Sequence, residues 1–436
     1  MKNIIGKTES VCPVCLGITD AYKVLKPDGI YLEKHCPAHG YFSTLIWEGD
    51  LKSYLAWDKG NKKKDVITGA KPSTGTCPYD CGLCADHIRS GCCVLLELTG
   101  RCNLKCPVCF ASSGEGIRPD PSLEEVSRLM DMLMEKGGPY NLQLSGGEPT
   151  MRDDLPEIIG LGLKKGFTFF QLNTNGLRLA REPEYAGILK NAGLSCVFLQ
   201  FDSLKDSVYK TLRGKPLLRE KLNAIKNCEK AGLGVVLVPV IAPNINDGEI
   251  GSILSFAEKH MPTVRGVHFQ PISYFGRCIE ETGKRITIPF MMREIESQTH
   301  GRMKAADFGG GGAENPYCSF HASYLKQENG VLKPLPKKGG CCCGGGATSK
   351  QSRENVARQW KGSGKKAAPA GTMDAFINET LDNTLAISGM LFQDAYNLDL
   401  DRLKRCYICE TDPKFGMVPF CAYNLTSATG KSIYRR

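Results

Sequence analysis

Short apolar runs alternate with longer amphipathic stretches between about residues 94 and 300. Each run ends in turn-forming residues and precedes a segment with helical periodicity, which is typical of strands that alternate with helices. Strands connected in this way pair in parallel, so we predict an α/β domain built on a parallel sheet. The six predicted strands are 94–99, 141–145, 167–173, 196–202, 235–241 and 267–272.

The rest of the chain divides into three predicted parts. Residues 1–60 have strand-like alternation and the ligand spacing of a rubredoxin-like or zinc-ribbon-like module. Residues 61–93 form a connector with a second cysteine cluster, and residues 301–436 form an extension with further cysteines. Gly, Lys, Ala, Ser and Pro dominate residues 330–372, so we expect this insertion to be flexible and unpacked.

Charge and hydropathy limit the classes of partner. The 56 Lys and Arg residues exceed the 46 Asp and Glu residues, but they form no dense basic stripe, so no nucleic acid partner is predicted. The longest aliphatic run, residues 235–242, is far shorter than the roughly 20 residues of a membrane-spanning helix. Because the start of the chain has no apolar signal segment, we expect a cytoplasmic protein, with peripheral contact at the inner face of the membrane left open.

The 21 cysteines are the most informative feature of the composition. An odd number with several C-x2-C spacings indicates metal ligation in a reducing compartment rather than a disulfide framework. Cys102, Cys106 and Cys109 follow the first predicted strand with the spacing C-x3-C-x2-C. Three thiolates can hold a 4Fe-4S cluster and leave one iron open, whereas a zinc knuckle, the alternative, normally pairs two C-x2-C units.

Three further ligand sets are candidate metal sites. The sets are Cys77, Cys81, Cys84 and Cys93; Cys318, Cys406, Cys409 and Cys421; and Cys12, Cys15, Cys36 and His39. The first two predict auxiliary 4Fe-4S clusters, with structural zinc as the alternative for both. In the first set Cys93 is preferred to Cys92, and in the second Cys318 is preferred to the glycine-flanked cysteines 341–343. The third set predicts a tetrahedral mononuclear site that suits zinc or iron equally.

Glycine and polar residues follow the predicted strands, where parallel sheets place their chemistry. Glycines let the backbone approach a small zwitterion closely, and Glu148 can fix the geometry by accepting hydrogen bonds. The candidate cofactor-binding residues are Gly146, Gly147, Glu148, Pro149, Asn173, Asn175, Asp202, Ser203 and Asn244. A helix-capping role is the alternative for the polar members, and no catalytic residue is predicted.

The C-x3-C-x2-C motif followed by Phe110, and the later Gly146-Gly147-Glu148-Pro149, resemble the radical S-adenosylmethionine (SAM) superfamily. The resemblance implies a partial (β/α)6 TIM barrel in which Cys102, Cys106 and Cys109 ligate a 4Fe-4S cluster that binds SAM. It also implies that one electron cleaves SAM to a 5'-deoxyadenosyl radical. A ferredoxin or flavodoxin is the expected electron donor.

The order of the modules resembles the tetraether synthase family more narrowly. A metal knuckle, the sequence Cys-Pro-Tyr-Asp-Cys-Gly-Leu-Cys from Cys77, the SAM motif and returning cysteines follow one another along nearly the whole chain. This resemblance implies about three 4Fe-4S clusters, one mononuclear metal and carbon–carbon bond formation between membrane lipid chains. Relatives are assigned to pterin methylation, so C-methylation of a pterin or similar small molecule is the alternative. A metal-binding electron-transfer scaffold is the hypothesis from a different class.

Overall fold

An antiparallel ribbon opens the fold. The computed structural model describes residues 3–58, 63–114, 119–281, 283–336, 348–361 and 372–435. The ribbon strands β1 (Ile4–Val11), β2 (Ile18–Lys26), β3 (Gly29–Cys36) and β4 (Gly40–Glu48) pair in sequence order, and helix α1 (Leu51–Trp57) follows. The rings of Trp47 and Tyr54 both contact the ring of Tyr317, which fastens the ribbon to the C-terminal extension.

Strands and helices alternate through the barrel segment. The strands are β5 (Cys93–Glu97), β6 (Asn141–Ser145), β7 (Phe170–Thr174), β8 (Cys196–Gln200), β9 (Gly234–Val238), β10 (Val240–Ile241) and β11 (Val264–Pro271). The helices are α2 (Leu123–Glu135), α3 (Leu155–Lys164), α4 (Leu177–Arg181), α5 (Tyr185–Ala192), α6 (Asp206–Arg213), α7 (Leu218–Ala231), α8 (Ile250–Lys259) and α9 (Ile288–Gln298). Parallel pairing in the order β5-β6-β7-β8-β9-β11 confirms the predicted fold class and all six predicted strands.

The two faces of each barrel strand lie in different surroundings, because successive side chains along a strand point to opposite faces. Leu142, Leu172 and Val197 pack against the helices in the main core. The opposite face, which carries the half-buried Gln143 and Asn173, lines the barrel lumen. The helices are accordingly amphipathic, and in the part of the chain that the structure describes none is long and apolar enough to cross a membrane.

The C-terminal extension continues the barrel sheet at both of its edges. Its elements are β12 (Ser319–Lys326), β13 (Leu332–Pro334), α10 (Ser349–Trp360), α11 (Met373–Asp382), β14 (Thr384–Met390), α12 (Leu400–Leu403), β15 (Ile408–Asp412), β16 (Gly416–Pro419) and α13 (Phe420–Tyr423). Strand β14 pairs in parallel with β11, and β15 pairs in parallel with β5. The extension therefore shares one sheet with the barrel instead of forming a separate layer.

Helix α10 packs against the barrel, so the expectation of an unpacked insertion is wrong for this helix. A Cβ atom at Gly266 would lie 2.7 Å from the Trp360 ring, and the Phe198 ring meets that indole edge to face at 5.8 Å. The Asn141 side chain donates a hydrogen bond to the Arg353 carbonyl at 2.9 Å. Because one apolar face suffices to dock a helix, the polar composition of the insertion concealed it. Residues 337–347, with cysteines 341–343, and residues 362–371 lie outside the described residues.

Candidate active site and metal centres

The loop between β5 and α2 brings together the three cysteines of the C-x3-C-x2-C motif. Cys106 and Leu104 belong to one apolar cluster, and Cys102 and Cys109 pack against it. The Leu104 N–H donates to Cys102 Sγ at 3.4 Å, and the Ser113 N–H donates to Cys109 Sγ at 3.4 Å. Such N–H donors stabilise sulfur ligands when these carry negative charge.

Burial controls the acidity of these thiols. Burial raises the pKa of Cys102 to about 12, and the negative charge of nearby Glu148 also raises it. Burial likewise raises the pKa of Cys106, against the opposing effect of Arg213. Thiols of this kind lose their protons when a metal binds. Three soft sulfur donors in an apolar, N–H-rich loop fit the 4Fe-4S cluster that the motif predicts, and Cys102, Cys106 and Cys109 would hold it.

Two arginines outside the motif hold this loop in place. Arg213, at the end of α6, donates to the Val108 carbonyl at 3.0 Å and forms two 2.7 Å contacts with the buried carboxylate of Asp202. Arg277 donates from Nε to the Cys106 carbonyl at 2.6 Å. The nearby Asp202 carboxylate keeps the pKa of Arg213 above its usual value despite burial. The sequence analysis missed both arginines because their partners are remote in sequence and neither belongs to a recognisable spacing.

The Gly-Gly turn after β6 presses against the same loop. A Cβ atom at Gly146 would lie 2.3 Å from the Thr99 carbonyl oxygen, and one at Gly147 would lie 2.2 Å from the Arg101 carbonyl oxygen. Gly146 also has a φ of 121°, which side chains rarely allow. Pro149 is buried at the start of the short 3-10 helix Pro149–Met151. The glycines are thus required by close backbone approach to the cysteine loop, and their predicted contact with SAM stays a prediction.

Glu148 is buried, and both of its carboxylate oxygens accept hydrogen bonds from protein donors. Its Oε1 accepts hydrogen bonds from the Thr150 N–H at 3.1 Å and from the Thr150 and Thr174 hydroxyls, both at 2.7 Å. Its Oε2 accepts from the Asn175 N–H at 2.7 Å. The Asn175 side chain in turn donates to Asn103 Oδ1 at 2.7 Å, inside the cysteine loop. In this structure Glu148 and Asn175 tie the ends of β6 and β7 to that loop.

The residues predicted after β8 and β10 have structural partners. The Asp202 carboxylate is occupied by Arg213, as described above, and the buried Ser203 hydroxyl donates to Glu249 Oε2 at 3.2 Å. Asn244 is exposed and has a φ of 62°. Its neighbour Asn246, which the sequence analysis missed, is buried and donates to the Asp202 carbonyl at 2.9 Å. A cofactor contact by Asp202, Ser203 or Asn244 stays a prediction.

Uncharged hydrogen-bonding groups line the lumen next to the cysteine loop. The Gln171 side chain donates to Asn173 Oδ1 at 2.7 Å, and Asn173 donates to Gln143 Oε1 at 3.2 Å. Across the lumen, His268 Nδ1 and the Ser388 hydroxyl are 2.8 Å apart. Burial lowers the pKa of His268 to about 4, so this imidazole is neutral at neutral pH.

Lys221 is a buried cation beneath the cysteine loop. Its Nζ donates to the Asn175 carbonyl at 2.6 Å and to Gln200 Oε1 at 3.3 Å. Burial lowers its pKa to about 8, against the opposing effect of Asp202. The signal in the sequence is its place on the apolar face of α7, in register with the buried Ala224.

The N-terminal ribbon forms a preassembled four-ligand site. The ligand atoms of Cys12, Cys15, Cys36 and His39 all lie within 4.8 Å of one another. His39 Nδ1 is 3.6 Å from Cys12 Sγ and 3.4 Å from Cys36 Sγ, and the Cys15 and Cys36 sulfurs are 3.9 Å apart. These separations match the edges of a tetrahedron around an ion with metal–sulfur bonds of about 2.3 Å. The donor set fits zinc or iron, as predicted.

The first auxiliary set has two kinds of surroundings. Cys77 and Cys81 pack on the cluster that contains Tyr434, and the interaction between their thiols lowers the pKa of Cys77 and, together with burial, raises that of Cys81. Cys93 lies buried at the start of β5, with its sulfur 3.8 Å from that of Cys92. The membership of all four cysteines, Cys77, Cys81, Cys84 and Cys93, in one ligand set stays a prediction.

The second auxiliary set gathers around a buried arginine. Arg402 donates from Nε to Cys318 Sγ at 3.0 Å. Burial, followed by the nearby Cys318, raises the pKa of Cys406 to about 12, and burial and Cys406 raise the pKa of Cys421. Cys409 instead belongs to the main core. Cys318, Cys406 and Cys421 thus lie near one cation, and the role of these three and Cys409 as cluster ligands stays a prediction. The sequence analysis missed Arg402 because an isolated arginine carries no pattern.

Known proteins resemble the chain in its parts and as a whole. The radical SAM superfamily matches residues 96–257, and the HMPTM N-terminal zinc ribbon domain matches residues 4–48. A GTP 3',8-cyclase of Listeria monocytogenes is 32% identical over 45% of this chain and 57% of its own length. The crystal structure of Streptococcus suis SuiB bound to S-adenosylmethionine has 17% identity and a TM-score of 0.40, and covers 48% of this chain and 47% of that one.

One relative is similar along almost the full length. The 7,8-dihydro-6-hydroxymethylpterin dimethyltransferase of Methanocaldococcus jannaschii is 35% identical, and the alignment covers 96% of this chain and 93% of the relative. The superfamily match implies a 4Fe-4S cluster and SAM, and the ribbon match implies a further metal, whereas the number of clusters stays a prediction. The chain is a radical SAM enzyme, and it belongs to the family that includes this M. jannaschii protein.

Proposed function

We propose that this enzyme methylates a carbon of a pterin or a similar small heterocycle. The observation that carries the proposal is the 35% identity, over 96% of the chain, to a relative named as a pterin dimethyltransferase. The alternative of the sequence analysis thereby becomes the main hypothesis. Carbon–carbon coupling of lipid chains, the first hypothesis of the sequence analysis, is not supported by the relatives.

The lumen supports a small polar substrate. Gln143, Asn173, His268 and Ser388 offer amide, imidazole and hydroxyl groups without a formal charge at neutral pH. A pterin presents ring nitrogens and a carbonyl that pair with the donors and acceptors these groups do not use on one another, whereas a hydrocarbon chain offers them no hydrogen bond. Neutral His268 can donate or accept a hydrogen bond according to its tautomer.

The chain itself binds, orients and excludes water. The cluster and SAM, when bound, supply the one-electron chemistry that attacks unactivated carbon–hydrogen bonds. Arg213 and Arg277 hold the cysteine loop, and the Gly146-Gly147 turn sets the close approach of that loop to β6. Helix α10 covers the base of the barrel through Trp360, which keeps water from that side of the lumen.

Product analysis tests the proposal. The anaerobically purified, reconstituted and reduced protein is incubated with SAM and either 7,8-dihydro-6-hydroxymethylpterin or membrane lipids, and the products are identified by mass spectrometry. We expect methylated pterin together with S-adenosylhomocysteine. A lipid product of joined mass with unchanged pterin would refute the proposal in favour of coupling, and the absence of any SAM turnover would favour the scaffold hypothesis.

A lumen variant sharpens the assay. Asn173→Leu removes one amide from the wall at a position where the side chain is half-buried. We expect pterin to bind about tenfold more weakly or worse, because the lost hydrogen bond leaves a buried polar group of the pterin without a partner. Because Asn173 contacts Gln143 and Gln171 rather than the cysteine loop, we expect SAM cleavage without pterin to persist. Loss of that cleavage would instead favour the predicted cofactor contact of Asn173. Unchanged pterin affinity would remove the lumen wall from the substrate site.

A further inference from the structure

Two adjacent residues near the end of the described chain reach two different cysteine loops. Tyr434 is buried, and its hydroxyl donates to the Pro78 carbonyl at 2.5 Å and accepts from the Cys81 N–H at 2.8 Å. Pro78 and Cys81 both belong to the loop of residues 77–84, which carries the first auxiliary cysteines. The Tyr434 ring also meets the Phe415 ring edge to face at 5.1 Å, so the ring is held independently of its hydroxyl.

Arg435 touches both ends of the other cysteine loop, residues 98–110. Its guanidinium donates to Glu97 Oε1 at 2.5 Å, at the last residue of β5, and to Asn424 Oδ1 at 2.5 Å. The same group lies 5.4 Å from the centre of the Phe110 ring, directly after Cys109. It therefore joins the strand that enters the loop to the residue that follows the last cluster ligand. A guanidinium can donate to two separate acceptors and lie near an aromatic ring at the same time, which the single ammonium of lysine does less well.

The chain just before these residues is anchored at two more points. The Ala428 N–H donates to the Pro13 carbonyl at 2.8 Å, between two ligands of the ribbon site. The Thr426 hydroxyl accepts from the Gly276 N–H at 3.0 Å. Gly276 precedes Arg277, which donates to the Cys106 carbonyl in the cysteine loop. These contacts hold residues 426 and 428, at the start of the segment that ends in Tyr434 and Arg435.

We propose that Tyr434 and Arg435 are positioning residues that fix the loop of residues 77–84 relative to the loop of residues 98–110. The two residues are adjacent in the chain, so a disturbance of either loop reaches the other through a single peptide unit. This role concerns the arrangement of two metal-binding loops and holds for any substrate. It therefore goes beyond the proposed pterin methylation and is independent of it.

Hydrogen exchange on the reconstituted, anaerobic protein tests the connection. Tyr434→Phe removes only the hydroxyl, and Arg435→Lys keeps the charge while removing the planar fork. Tyr31→Phe and Arg128→Lys are matched controls, because each alters an exposed contact whose partner, Asp28 or Glu124, lies outside both cysteine loops. Exchange is measured for residues 77–84 and 98–110, together with iron and sulfide per chain and the electron paramagnetic resonance spectrum with and without SAM.

We expect Tyr434→Phe to speed exchange in residues 98–110, which Tyr434 does not bind, by about threefold or more, the size of coupling within one contact network. Arg435→Lys should speed exchange in residues 77–84 to a similar extent, and the double variant should add little to either single one. Arg435→Lys should also alter the SAM-dependent change of the spectrum. Effects confined to the loop that each side chain contacts, with additive behaviour in the double variant, would overturn the proposal. If one variant unfolds, the remote effect of the other decides.

Discussion

The ribbon site and the cysteine loop of the barrel are built by opposite strategies. In the ribbon, four ligand atoms already lie within 4.8 Å of one another and come from two tight turns of a small antiparallel sheet. In the barrel, three cysteines share one apolar cluster but depend on Arg213, Arg277 and the Gly146-Gly147 turn for their arrangement. The ligands of the ribbon site therefore lie together within their own two turns, whereas the cysteines of the barrel loop are held in position by residues outside that loop.

The difference follows from what each site has to do. A closed tetrahedral site satisfies its ion completely and contributes to folding. An open cluster needs a free coordination position, so the protein has to keep the loop from collapsing onto it. The two arginines and the turn meet this need because they fix backbone carbonyls instead of supplying a fourth ligand.

The largest effect is expected from removal of the ligands themselves. Replacing Cys102, Cys106 and Cys109 together by Ala should abolish SAM cleavage, because no other residues of the loop can hold the cluster. The ribbon metal should remain. Conversely, Cys12→Ser with Cys36→Ser should release the ribbon metal and leave the iron of the barrel loop. Metal content per chain and mass-spectrometric detection of deoxyadenosine check both results. Loss of both metals in either variant would contradict the independence of the two sites.

The next effect is expected from the buried ion pair behind the barrel loop. Arg213→Gln leaves the Asp202 carboxylate buried without its partner, which costs about 3–5 kcal/mol. We expect a lower free energy of unfolding and less iron per chain, with the ribbon metal unchanged. The exposed pair of Arg128 and Glu124 is the control, since Arg128→Gln should cost at most about 1 kcal/mol. Full iron content in Arg213→Gln would show that the loop holds its shape without this support.

The same contrast explains which parts the sequence could predict. The six parallel strands follow from apolar runs of the right length, and the helix ends after α5, α6 and α7 follow from Gly193, Gly214 and Gly232, all in left-handed conformation. The ribbon ligands follow from local spacing, because C-x2-C and C-x2-H turns converge by themselves. These features depend on neighbours in the chain.

Features that depend on distant partners could not be predicted. Arg402 meets Cys318 across 84 positions and Arg277 meets Cys106 across 171, and an arginine alone carries no pattern. Strands β14 and β15 join opposite edges of the barrel sheet although the cysteine-rich extension gives no sign of it. The place of Asn244 after a strand predicts a cofactor contact for it. The residue that lies buried and donates to the Asp202 carbonyl is Asn246, and the sequence does not indicate this because burial depends on tertiary packing.

A smaller effect is expected from the turn that touches the loop. Gly147→Ala places a Cβ atom 2.2 Å from the Arg101 carbonyl oxygen, so the loop has to shift. Overpacking of this kind costs about 1–3 kcal/mol in the free energy of unfolding, and we expect less iron per chain than in the wild type. Gly160→Ala is the control, because its Cβ meets open space in α3 and should stabilise the helix by up to about 1 kcal/mol. The comparison fails if both variants retain iron equally.

The smallest effect concerns the two environments that histidine occupies. His39 faces ribbon cysteines, whereas His268 lies in the lumen, where burial lowers its pKa to about 4. Because the folded state disfavours protonated His268, its contribution to stability is present above the unfolded pKa of about 6.5 and is lost as the pH falls toward 4. Allowing for water in the lumen, we expect a loss of about 1–2 kcal/mol between neutral pH and pH 4.

His268→Gln keeps a hydrogen-bonding group but cannot titrate, so it isolates this contribution. Urea unfolding of wild type and variant without iron, compared at about pH 7 and pH 5, gives the difference in free energy. The variant should lose less stability on acidification than the wild type, and the pH dependence of the ribbon should cancel because it is common to both proteins. Equal losses would mean that His268 is protonated without cost, and that the lumen is as well hydrated as the exposed edge of the ribbon.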